Sequence, residues 1–135
     1  MALVTWNDSL SVGVRSIDKQ HGVLVELLNE LYDAMTKGQA MCVTGRLLER
    51  LLRYARIHFS HEESLMQAAQ YPGLALHQLQ HHILARQVED YYERLERGEI
   101  AVSVHLLHFL RDWLTQHIQK DDHAFGPWLN DHGIR

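Results

Sequence analysis

The chain has almost no cysteine, almost no proline and no long apolar run, and each shortage removes a class of protein. Cys42 is the single cysteine among 135 residues, so no intrachain disulfide can form and neither a thiolate zinc site nor an iron–sulfur cluster can be assembled. Any metal here must be held by nitrogen and oxygen. Only Pro72 and Pro127 break the backbone donor pattern, which leaves room for long helices. No stretch approaches the ~20 apolar residues of a spanning helix, and the start, MALVTWNDSLSV, lacks the positive and apolar regions of a secretory signal. A formal charge of -4, with acids and bases interspersed, offers neither a basic stripe for nucleic acid nor a polybasic patch for a membrane surface. These features predict a soluble cytoplasmic protein with no nucleic-acid partner and no membrane insertion. With 46% apolar residues, the chain is expected to form one globular domain, residues 1–135, around a single core.

What is plentiful is histidine, with 11 residues against 8 glycines. The apolar residues recur at helical rather than alternating spacing, so the predicted class is all-α. An irregular N-terminal arm runs through about Val14, and Ser16 or Asp18 can cap a first helix over 17–37 with the stripe His21, Leu24, Val25, Leu28, Tyr32 and Met35. A loop over 41–45 leads to a second helix, whose stripe Leu47, Leu51, Tyr54, His58, Glu62 and Met66 must end at Tyr71-Pro72-Gly73. The third carries Leu74, His77, His81, Leu84, Val88, Tyr91 and Leu95 and closes at Arg97-Gly98. A fourth, from about 100, aligns Leu106, Leu110, Trp113 and His117 and stops at Gly126-Pro127, leaving a short C-terminal tail, 125–135. Four helices with short loops predict an up-down-up-down four-helix bundle.

A lone histidine on an apolar stripe is ordinarily a hydrogen-bonded core residue. Here His21, His58, Glu62, His77, His81 and His117 all occupy inward stripes, where ionisable groups are costly unless paired, hydrogen-bonded or metal-bound. His58 with Glu62, and His77 with His81, are four apart and about 40° around a helix, so each pair addresses one small volume. His82, His105, His108, His123 and His132 fall off the stripes or past the site, and His61 is left in an outer or surface role. Near the C-terminus spacing favours Asp121, about 40° from His117, over Asp122, about 140° away. Five imidazoles and two carboxylates are too many for one tetrahedral zinc and suit two iron ions that share bridges.

The segments IDKQH at 17–21, HFSHEESLM at 58–66, HQLQH at 77–81 and HIQKDD at 117–122 resemble, in order, the ligand motifs of the hemerythrin family. The resemblance implies that His77, His81 and His117 bind one iron, that His21 and His58 bind the other, and that Glu62 and Asp122 bridge them together with a solvent-derived oxo or hydroxo group. It chooses Asp122 over Asp121, which requires a locally wide or bent helix, or an approach of Asp122 across the bundle. It also implies an open position for dioxygen beside an apolar pocket of Leu24, Leu28, Phe59, Trp113, Leu114 and Ile118, all of which would serve equally as core. The expected function is reversible dioxygen binding for transport, storage or delivery to an oxygen-consuming recipient protein. Two carboxylates are fewer than the four of ferritin-like di-iron enzymes, which argues against oxidation catalysis. An oxygen or redox sensor acting through a partner, and an enzyme handling peroxide, nitric oxide or ferrous iron, stay open as alternatives.

Overall fold

The computed structural model describes residues 2–99 and 103–135, without the side chains of Met41 and Asp121. After a single 3-10 turn at Asp8–Leu10, four helical rods follow: α1 (Arg15–Thr36), α2 (Met41–Ala68), α3 (Leu74–Glu96), and a fourth rod made of α4 (Val104–Gln116), a π-helical turn (His117–Asp122) and α5 (His123–Asp131). The architecture is the expected all-α four-helix bundle, in which α1 packs on α2 and α4 while α2 packs on α3.

The first three rods end alike. Gly38 and Gly98 adopt φ of +71° and +74°, and the following N–H groups reach back to Ala34 O and Arg94 O at 3.0 Å, which is the Schellman closure. At the end of α2 the same role falls to Gln70, a non-glycine residue at φ 54°, with Tyr71 N–H bonded to Met66 O.

The structure moves several expected boundaries. Neither Ser16 nor Asp18 caps α1: Asp18 instead accepts from Val12 N–H at 2.8 Å and Ser11 Oγ at 2.6 Å, tying the arm down, while Ser16 Oγ bonds His61 Nε2 at 2.8 Å. Residues 41–45 are the first turn of α2 rather than a loop, because a first turn leaves N–H groups unpaired in any case and tolerates Gly45 there. The expected start of the fourth helix at about 100 lies outside the described residues; Ser103 caps α4 by accepting from Leu106 N–H at 3.2 Å. The helix does not stop at Gly126-Pro127 but runs to Asp131, so most of the supposed tail is helical. Gly126 marks a crossing instead: a Cβ there would lie 2.2 Å from the Val12 carbonyl oxygen, and the missing side chain lets the arm lie against α5. Pro127 then costs the helix one backbone bond.

Alternating rod direction decides where the polar residues meet. His21 lies early in α1, His58 and Glu62 late in α2, His77 and His81 early in α3, and His117 at the end of α4, so all fall at one end of the bundle. The other end is apolar, with Leu31, Leu48 and Leu107 fully buried, each contributing about 1.5–3 kcal/mol. Among the described residues no helix is long and apolar enough to cross a membrane.

Candidate metal centre

His21, His58, Glu62, His77, His81, His117 and Asp122 are all buried, with His21, His58, Glu62 and Asp122 at 0% exposure. Their donor atoms form two overlapping groups, His21, His58, Glu62, His117 and Asp122 in one and Glu62, His77, His81 and His117 in the other, with no two chosen donors in a group more than 4.8 Å apart. Glu62 stands between them. Its Oε1 contacts His58 Nε2 and lies 3.4 Å from His21 Nε2, while its Oε2 lies 3.1 Å from His77 Nε2 and 3.4 Å from His81 Nε2. Asp122 is split the same way, with Oδ2 2.6 Å from His21 Nε2 and Oδ1 3.2 Å from His77 Nε2. Each carboxylate therefore presents one oxygen to each histidine pair. His117 Nε2 lies 3.2 Å from Glu62 Oε1 and 3.1 Å from Asp122 Oδ2, the two oxygens that face His21 and His58, yet its donor also falls within the group of Glu62, His77 and His81.

The π-helical turn brings Asp122 into the cluster. At about 100° per residue Asp122 would face away from His117, but the wide turn bonds His123 N–H to Ile118 O, five residues back, and the residue five after His117 returns to the same face. The side chain of Asp121 lies outside the described residues.

Hydrogen bonds from His21, His77 and His117 to Glu62 account for only part of this proximity. His58 Nε2, His81 Nε2 and both oxygens of Asp122 are buried without a hydrogen-bond partner although other donors and acceptors crowd them. Their lone pairs converge on shared space rather than on one another, and such orphaned groups cost about 1–3 kcal/mol each unless something fills that space. A cation does so, and the donor set of neutral imidazoles with two bridging-type carboxylates fits one.

Outer contacts fix which nitrogen faces inward. His58 Nδ1 donates to Gln20 Oε1 at 2.8 Å and His81 Nδ1 donates to Glu63 Oε2 at 3.0 Å, leaving each Nε2 with a free lone pair. Burial holds the His58 pKa below the ordinary range. Burial also disfavours charge on His77 and His21, but the Asp122 and Glu62 carboxylates beside them outweigh it, raising His21 and carrying His77 up to about 9. For Glu62 and Asp122 burial pushes upward and the surrounding imidazoles, His117 foremost, win, so both carboxyls sit below their usual range.

Of the six expected pocket residues, Leu24, Leu28, Phe59, Leu114 and Ile118 are buried, whereas Trp113 is only half-buried. Phe59 stacks on His81, with ring centres 4.0 Å apart and planes at 12°, and Trp113 stacks on His117 at 5.5 Å. An apolar cavity of about 30 Å³ lies against Phe59 and Trp113 and is lined also by Leu51, Ala55, Leu84 and Leu110; Arg56 and Glu89, an ion pair, line it too. It shares with the expected pocket only Phe59 and Trp113. Gln20 and Glu63 were not singled out by the sequence, since each serves a histidine on another helix and no spacing along one chain segment signals that. His82, His105, His108 and His132 are exposed, and His61 is half-buried on Ser16.

The profile described as "Hemerythrin HHE cation binding domain" matches residues 12–129. The chain is 37% identical over 132 residues to a bacteriohemerythrin of Stenotrophomonas maltophilia, covering 98% of this chain and 85% of that one. It is 34% identical over 131 residues to a bacteriohemerythrin of Methylococcus capsulatus, covering 96% and 99%. A wild-type hemerythrin crystal structure superposes with a TM-score of 0.90 at 33% identity, covering 95% of this chain and 98% of that one. A fold, a buried cation-binding cluster and a match along nearly the whole sequence thus agree, and the chain belongs to the hemerythrin family.

Proposed function

We propose that the whole chain, residues 1–135, acts as one dioxygen-binding domain with a non-haem two-iron centre, serving oxygen transport, storage or delivery without chemical turnover. The supporting observation is that Glu62 and Asp122 each offer one oxygen to each of two histidine pairs, the arrangement by which two ions can share both carboxylates. In this reading His77, His81 and His117 hold one iron, His21 and His58 hold the other, and Glu62 and Asp122 bridge. The iron pair, with its oxo or hydroxo bridge, would supply two electrons to dioxygen and recover them on release.

The protein's own part is electrostatic and exclusionary. Neutral imidazoles supply most of the donors, so the site carries less negative charge than a carboxylate-rich one and favours high oxidation states less strongly. Phe59 against His81 and Trp113 against His117 put apolar rings beside the cluster, and Leu24, Leu28, Leu114 and Ile118 belong to the buried core, so the site would be poor in water and side reactions with solvent would be discouraged. Delivery would require an oxygen-consuming recipient protein.

An absorption spectrum in air, after anaerobic reduction and after readmission of air, tests the reading together with an iron count. About two irons per chain and a charge-transfer band that vanishes and returns over repeated cycles are expected. A single tightly held zinc, or no response to oxygen after iron loading, would overturn it.

A further inference from the structure

The outer nitrogens of the clustered histidines are not treated alike. His81 Nδ1 donates to the carboxylate of Glu63, His58 Nδ1 donates to the neutral amide oxygen of Gln20, and His21 Nδ1 is buried with no partner. Of these three outer nitrogens the one with a charged acceptor lies on the His77/His81 side. Among the described residues no lysine or arginine lies within ion-pair distance of Glu63, whose side chain is 26% exposed, so its charge is not neutralised by a cation there. Nor is Glu63 needed to set the ring plane, because Phe59 already stacks on His81 with planes at 12°. What remains for Glu63 is electronic: a charge-assisted hydrogen bond is roughly twice as strong as a neutral one, and pulling on Nδ1–H makes Nε2 a stronger donor.

We propose that Glu63 is a positioning residue that strengthens His81 as a ligand, so that the ion on the His77/His81 side is held more tightly than its histidines alone would hold it. The inference rests on the two-metal reading. It concerns ligand strength rather than oxygen, so it can be tested with zinc as a diamagnetic probe. Zinc-loaded protein challenged with a chelator should release its two ions in a fast and a slow phase. Glu63→Gln should accelerate the slow phase about 10- to 100-fold and leave the fast phase unchanged. Glu63→Asp, which keeps the charge, should retain most of the slow phase, and Asp90→Asn, which removes the same charge from an exposed position in α3 more than two turns beyond His81, should alter neither phase. In ¹H–¹⁵N spectra of the zinc form the His81 Nδ1 proton should resonate far downfield and move upfield in Glu63→Gln. Unchanged release in that variant, or equal acceleration of both phases, would overturn the inference alone. A wild-type chain that takes up only one zinc ion would overturn the two-metal reading and the inference with it.

Discussion

Asp122 lies five positions after His117, one too many for a regular helix to present both on one face. The π-helical turn absorbs the extra residue, so the cluster's seventh member depends on backbone register as much as on its own side chain. Asp122→Asn is expected to abolish stable two-iron binding, whereas Asp121→Asn leaves the oxygen spectrum intact; iron counts and spectra of the two variants check this, and the reverse result would reassign the ligand. Trp113 makes a different demand. Its indole both stacks on the His117 ring and lines the cavity beside Arg56 and Glu89, so Trp113→Ala should keep both irons yet shorten the life of the oxygenated form, measured as a faster autoxidation rate. Because Trp113 is half-buried, the stability loss should fall below the ~3–5 kcal/mol of a fully buried aromatic. Helical periodicity alone makes five imidazoles and Glu62 legible in the sequence. It fails at Asp122, because rotating 100° per residue presupposes the α register, and at Gln20 and Glu63, because their partners lie on other helices.

At the level of elements, sequence signals for helix ends work where the chain needs a left-handed residue, as at Gly38 and Gly98, and mislead where glycine has another duty. Gly126 reads as a terminator beside Pro127, yet its role is to admit the Val12 carbonyl. Gly126→Ala is therefore expected to lift the arm from α5 and cost about 1–3 kcal/mol of stability as an overpacked contact, seen as a lower Tm. Iron content should be little changed, since the arm supplies none of the clustered side chains. Loss of iron at full stability would show that the arm positions the site directly. The extension of α2 back to Met41 was illegible for the opposite reason: Gly45 reads as a loop signal but is tolerated in a first turn equally well.

For the molecule as a whole, protons and metal compete for the same atoms. In metal-free protein His77 has a folded pKa of about 9 against an ordinary 6.5, and His21 is raised as well. A raised pKa contributes stability that is complete below the unfolded value and is lost as pH climbs through the folded one. Metal-free protein should accordingly lose thermal stability between about pH 6.5 and 9, while the metal-loaded form changes far less, and loading at neutral pH should release protons into a weakly buffered solution. Equal pH profiles for the two forms would show that His77 is not displaced from its proton by metal. Fold class and the number of helical rods were legible, because burying apolar stripes on four helices with short loops leaves few alternatives. The gathering of ligands at one end gives the rods unequal freedom along their length. A cluster tying His21 to Asp122 closes a loop of about three quarters of the chain, the kind of long closure that restricts an unfolded polymer most, while the turn at Gly38 far from the cluster is held by local bonds. Amide hydrogens should therefore exchange slowly around the ligands and progressively faster toward the distal turns, and removing the metal should flatten that gradient, so that ion loss is felt first as a loosening of one pole of the molecule and not as a uniform softening.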